Sequence, residues 1–130
     1  MKFEQLVYAL DKLEAAFLTL QQAVERTQDD LDQDGVIHRF EFTFELLWKT
    51  TKIFLQYEGF HCAGPRSCIK EGARTGLLLK GELLLDMLND RNKTTHVYDQ
   101  DTAQEIFERI KRQYLSSIAA NIQQFRGRIS

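Results

Sequence analysis

Residues 36–58 have the sequence VIHRFEFTFELLWKTTKIFLQYE, and this stretch decides the fold class. Its apolar side chains lie on more than one side of a predicted helix, which is typical of a helix that contacts several neighbours. Gly59 follows directly and is a favourable residue for a helix C-terminus. The stretch predicts a central helix from about Val36 to Glu58, whose interior side chains are Phe40, Phe42, Phe44, Leu47, Trp48, Phe54 and Leu55.

The preceding segment predicts a first helix of similar length. Apolar residues recur there at three- and four-residue steps, as expected for one buried stripe on an amphipathic helix. The stretch from Asp29 to Gly35 is acidic and ends in glycine, so we expect a loop between the two helices. The stripe of the first helix consists of Phe3, Leu6, Val7, Leu10, Leu13, Phe17, Leu20 and Val24.

Three further helices are predicted after residue 59. Pro65 suits the first position of a short third helix, and a fourth helix should continue to about Asp90 or Arg91. Asp101 and Gln104 form a plausible N-cap and N3 pair for a last helix with apolar residues up to position 129. No segment shows the two-residue alternation of apolar and polar residues that is typical of a β-strand. The sequence therefore predicts an all-α, antiparallel up-and-down helical bundle of four to five helices, as a single domain over residues 1–130.

The composition limits the classes of function. The formal net charge of −2 excludes a protein that binds nucleic acid over its whole surface, because such binding depends on neutralising many phosphates with basic side chains. No apolar run is long enough to cross a bilayer, and no secretory leader is recognisable, so no membrane contact and a cytoplasmic location are expected. Cys62 and Cys68 match no zinc pattern and are expected to be reduced thiols. No cofactor is predicted.

One stretch matches the calcium-loop pattern. Asp30, Asp32 and Asp34 occupy loop positions one, three and five, Gly35 is at position six, and Glu41 is at position twelve. A second copy of the loop, which usually accompanies the first, is missing from the sequence. We therefore expect no metal site, and interpret the aspartates as capping residues of the following helix. Calcium binding remains the less favoured alternative.

A second polar stretch gathers groups that could act on a phosphate. Arg91 could hold a phosphate with two parallel hydrogen bonds, and His96 could exchange a proton near neutral pH. Asn92 and Tyr98 add an amide and a phenol. In one continuous helix Arg91 and His96 would lie about 140° apart, so a loop must begin near Arg91 if both are to face one ligand.

Two structural interpretations compete with these functional ones. Arg91 could simply pair with a nearby carboxylate such as Asp86 or Asp90. The cations of the last helix are expected to form a solvated face with weak surface ion pairs. These cations are Arg109, Lys111, Arg112, Arg126 and Arg128.

Three stretches, in order along the chain, resemble the nucleotidyltransferase substrate-binding protein family. Residues 35–49, GVIHRFEFTFELLWK, resemble its signature helix, although His38 stands where glutamine is expected. Pro65-Arg66, with Ile69 and Ala73, resembles its third-helix segment. Residues 86–98, DMLNDRNKTTHVY, resemble its remaining motif. The similarity covers nearly the whole chain.

The resemblance implies a domain of the HEPN superfamily that forms a homodimer and pairs with a separate minimal nucleotidyltransferase, as in a two-component toxin–antitoxin system. It implies a nucleotide or RNA end as ligand, with Arg91, Asn92, His96 and Tyr98 as binding residues. Related proteins carry an Arg-x4-His-x-Tyr motif, matched here by Arg91, His96 and Tyr98. The alternative it implies is a metal-independent ribonuclease with Arg91 and His96 as catalytic residues, which the transferase silences by adenylylating Tyr98.

Overall fold

The computed structural model describes residues 3–94 and 99–130, and over these ranges the chain is helical with no β-strand. Its elements are α1 (Phe3–Glu25), α2 (Asp30–Tyr57), α3 (Pro65–Arg74), α4 (Gly81–Lys93), α5 (Gln100–Arg109), a π-helical turn (Ile110–Tyr114) and α6 (Leu115–Ile129). The last three form one long C-terminal helix, so the bundle has five helices over the described ranges. The predicted all-α, antiparallel up-and-down bundle is confirmed.

The first two helices supply most of the core. In α1 most of the predicted stripe is buried between Leu6 and Val24, but Val7 is only partly buried and Phe3 at the start of the helix is 45% exposed. In α2, Phe42 is 51% exposed, so the prediction that it is an interior side chain is wrong. The other aromatic residues and leucines predicted to be interior are buried or packed against the core, as expected for a helix with neighbours on several sides.

The start of α2 differs from the prediction. The helix begins at Asp30, not near Val36, and so includes most of the stretch expected to be a loop. Asp29 is the N-cap residue, and its carboxylate accepts a hydrogen bond of 2.9 Å from the backbone N–H of Asp32. The early start has a physical reason, because acidic side chains stabilise the positive N-terminal end of a helix. The helix ends where expected, with Gly59 at a φ of 92°.

The two cysteines also differ from the prediction. Cys62, in the segment before α3, forms a disulfide with Cys68, in the first half of α3. The segment folds back over the start of α3, which brings the two Cα atoms to 5.0 Å, within the range that a disulfide bridges. Sequence spacing alone does not show this reversal of direction.

The start of α5 is a smaller correction. The N-cap residue is Asp99 and not Asp101; its carboxylate accepts a hydrogen bond from the backbone N–H of Asp101 at 3.1 Å. Both residues are aspartates next to a helical pattern, so the side-chain chemistry alone did not distinguish them. Within the described ranges, no helix has both the length and the apolar character needed to span a membrane.

Candidate functional site at the end of helix α4

The guanidinium of Arg91, near the C-terminus of α4, is held by α2. Its Nη2 donates a hydrogen bond of 2.6 Å to Oε1 of Glu45. The pair is only half-buried, with side-chain exposures of 36% for Arg91 and 30% for Glu45. Asp86 and Asp90, the carboxylates considered from the sequence, are therefore not its partners. A carboxylate from another helix orients Arg91 and leaves part of the guanidinium open to a ligand.

Glu45 itself is fixed by two neighbours on α2. The indole N–H of Trp48 donates to its Oε2 at 3.2 Å, and the ammonium of Lys49 lies 3.7 Å from the same oxygen. The Nε of Arg91 is buried and has no hydrogen-bond partner among the described residues. Buried donors are normally paired, so this N–H is a donor of Arg91 that the contact with Glu45 leaves unused.

Asp90, the residue before Arg91, forms the most deeply buried ion pair in the described part of the chain. Its side chain is 4% exposed, and Arg109 of α5 donates to its two oxygens at 2.7 Å each. The buried hydroxyl of Tyr114 donates to the same carboxylate. Hydrogen bonding to Asp90 raises the pKa of the Arg109 guanidinium above its usual range.

The π-helical turn explains how Arg109 and Tyr114 reach one carboxylate. Residues five apart lie about 140° apart in an α-helix, but i→i+5 hydrogen bonding brings them to the same side. The turn contains Tyr114, whose ring also stacks on Phe40 of α2 at 5.5 Å between centroids. Burial, and then the bond to Asp90, raises the pKa of the Tyr114 hydroxyl above its usual range. The network therefore ties the end of α4 to α5 and α2.

Of the four binding residues expected from the sequence, the structure describes Arg91 and Asn92. Asn92 lines a groove between α3 and α4, whereas Arg91 contacts α2. Thr94 ends α4, and its hydroxyl donates to the carbonyl oxygen of Arg91 at 2.6 Å. The helix thus ends close to Arg91, as the site hypothesis requires. His96 and Tyr98 lie outside the described residues, so their placement near Arg91 stays a prediction.

The calcium alternative does not fit the structure. Asp30, Asp32, Asp34 and Glu41 all lie in α2, and aspartates two positions apart on a helix point about 160° away from each other. A continuous helix cannot wrap around one ion as a calcium loop does. In residues 3–94 and 99–130, no group of three or more histidine, cysteine or acidic side chains is placed to hold a metal ion.

The cations of the last helix are also less solvated than expected. Arg109 pairs with the buried Asp90, Arg126 bonds to Asp11 and Glu14 of α1, and Arg128 bonds to Glu58 at the end of α2. The prediction of a solvated face is therefore wrong for these three arginines, which bridge between helices. It is confirmed for Arg112, whose partner Glu108 lies one turn away on the same helix and which is 75% exposed.

The chain is similar to a known protein family and to a protein of Haemophilus influenzae. The sequence profile of the family described as "Nucleotidyltransferase substrate binding protein like" matches residues 8–126. A Haemophilus influenzae protein described as "Probable ribonuclease HepT" is 30% identical, in a match that covers 78% of this chain and 81% of that protein.

Two solved structures share the bundle. A Thermus thermophilus protein is 33% identical and has a TM-score of 0.76. A Haemophilus influenzae protein, described as having the fold of a substrate binding domain of a nucleotidyltransferase, is 27% identical and has a TM-score of 0.79. Each comparison covers 90% of this chain and 98% of the other.

Proposed function

Because the chain belongs to the nucleotidyltransferase substrate binding protein family, we propose that it is the substrate-binding subunit of a separate minimal nucleotidyltransferase. In this role it docks the transferase and holds a nucleotide or an RNA end at the C-terminus of α4. The two proteins form a two-component, toxin–antitoxin-like system. The expected cytoplasmic location belongs to this proposal, because nucleotides and RNA are found there.

The observation that supports the proposal is the orientation and exposure of the Arg91 side chain. Its guanidinium is oriented by Glu45 at 2.6 Å but remains 36% exposed, and its buried Nε lacks a partner among the described residues. A planar guanidinium with open donors suits a phosphate, which accepts two parallel hydrogen bonds. Asn92, His96 and Tyr98 follow in the family motif and are proposed to contact the same ligand.

Co-expression with a candidate partner, a separate minimal nucleotidyltransferase from the same genome, tests the proposal. We expect the two proteins to co-purify and to elute together in size-exclusion chromatography. Light scattering of this chain alone should give twice the 15.2 kDa of one copy, because the proposal includes a homodimer. Separate elution of the two proteins after co-expression would contradict the proposed pairing.

A second candidate function is favoured by the similarity to the probable ribonuclease of Haemophilus influenzae. In this alternative His96 takes the proton of a ribose 2′-hydroxyl, whose oxygen attacks the adjacent phosphorus, and Arg91 stabilises the developing charge. The bond between phosphorus and the 5′-oxygen of the next nucleotide breaks, which leaves a 2′,3′-cyclic phosphate, and this 5′-oxygen takes up a proton from water. Adenylylation of Tyr98 by the transferase would silence this activity.

Expression without the transferase separates the two candidates. The ribonuclease alternative requires that the wild-type chain slows growth and cleaves cellular RNA, and that the His96→Ala variant does neither. The binding-subunit proposal expects equal growth and intact RNA in both strains. Equal soluble expression of the two proteins is the control.

A further inference from the structure

A groove between α3 and α4, here called the α3–α4 groove, has a cavity volume of about 560 Å³. It lies beside Asn92, one of the residues proposed to bind the ligand. No acidic side chain lines the groove in the described part of the chain. Its lining residues are Gly64, Pro65, Arg66, Ser67, Lys70, Leu88 and Asn92.

The groove carries two cations on one helical face. Arg66 and Lys70 are four residues apart in α3, so their side chains are neighbours on the helix surface. Arg66 makes one long hydrogen bond, 3.5 Å from its Nη2 to the amide oxygen of Asn89. Among the described residues, no carboxylate lies within ion-pair distance of either cation. Both are exposed, so their charge is available to an anion entering the groove.

Packing of its buried side fixes this part of α3. Cys68 lies in the helix between Arg66 and Lys70, is fully buried, and is bonded to Cys62 of the preceding segment. The backbone that carries both cations is therefore held in place before a ligand arrives. Such preorganisation lowers the ordering cost of binding.

Asn92 and Arg91 are consecutive residues whose side chains diverge by about 100° around α4. Arg91 reaches Glu45 on α2, whereas Asn92 lines the α3–α4 groove. A ligand that reaches both places extends from Arg91 into the neighbouring groove, as an RNA does when the nucleotide at Arg91 is followed by a further backbone phosphate.

We propose that the α3–α4 groove binds a backbone phosphate of a single-stranded RNA through Arg66, Lys70 and Asn92, next to the nucleotide held at Arg91. This inference rests on the proposed function and names its ligand as RNA of more than one nucleotide. The net charge of −2 agrees with a contact limited to a few phosphates.

The experiment measures fluorescence anisotropy of a labelled single-stranded oligouridylate with the full chain over a range of salt concentrations. The test variant is Arg66→Gln with Lys70→Gln, and the control variant is Arg26→Gln with Lys80→Gln, which removes the same charge from exposed positions outside the groove. We expect several-fold weaker binding for the test variant. Its plot of log affinity against log salt should be flatter by about 0.7, the contribution of one phosphate contact to a single strand.

Several outcomes would overturn the inference. One is a wild-type chain that does not bind the oligonucleotide, and another is a test variant with the affinity and salt dependence of the control. Equally strong competition by inorganic phosphate or AMP would contradict a polynucleotide ligand. If the test variant binds RNA like the wild type but no longer co-purifies with the transferase, the groove contacts the transferase and not RNA. Co-purification with the transferase is measured separately, so the proposed function can stand where this inference fails.

Discussion

Replacing Asp90 by alanine is expected to lower the free energy of unfolding by about 3 kcal/mol, at the lower end of the cost of breaking a buried ion pair. The carboxylate is almost fully buried and accepts two bonds of 2.7 Å from Arg109. Its removal leaves the buried hydroxyl of Tyr114 without its acceptor. The lower end applies because Arg109 is 33% exposed and regains water.

Urea denaturation followed by circular dichroism measures this change. Glu108→Ala is the matched control, because it also breaks a carboxylate–arginine pair, but one on the surface of α5. Surface ion pairs contribute little to stability, so the control should unfold close to the wild-type urea concentration. Equal midpoints for Asp90→Ala and Glu108→Ala would show that the buried network does not hold the end of α4.

Replacing Arg91 by alanine is expected to weaken nucleotide or RNA-end binding by at least about tenfold, because it removes the charge-assisted hydrogen bonds of the guanidinium, each of which contributes about 1.5 kcal/mol or more. The stability should change little, because the Arg91–Glu45 pair is half-exposed. Arg91→Lys should give an intermediate affinity, since lysine keeps the charge but loses the planar pair of donors. Titration calorimetry with nucleoside triphosphates and a 5′-phosphorylated oligoribonucleotide measures the affinities.

Arg112→Ala is the control for Arg91→Ala. It removes the same charge from an arginine that is 75% exposed and whose partner lies one turn away. Its affinity should remain that of the wild type. If Arg91→Ala also kept the wild-type affinity for every ligand tested, Arg91 would have only a structural role in joining α4 to α2.

The helices could be predicted from the sequence because local patterns determine them. The spacing of apolar residues in α1, Pro65 at the start of α3 and Gly59 after α2 each act within a few residues of the feature they predict. Errors arose where two local signals competed. Acidic residues 29–34 suit a loop and also suit a helix N-terminus, and the structure adopts the helix.

The candidate site was only partly predictable, because its contacts join distant parts of the chain. Arg91 could be chosen by residue type and motif, but its partner Glu45 is 46 positions away. In the sequence Arg109 resembles the other cations of the last helix, whereas in the folded chain it pairs with the buried Asp90. A π-helical turn has no clear sequence signal, so the role of Tyr114 was not foreseen.

An experimental structure of the chain bound to its nucleotidyltransferase and a nucleotide tests the central claim most directly. The account predicts a phosphate oxygen within about 3 Å of the Arg91 guanidinium, with the imidazole of His96 facing the same phosphate. A phosphate bound elsewhere, with Arg91 still bonded only to Glu45 and His96 directed away from it, would contradict the claim.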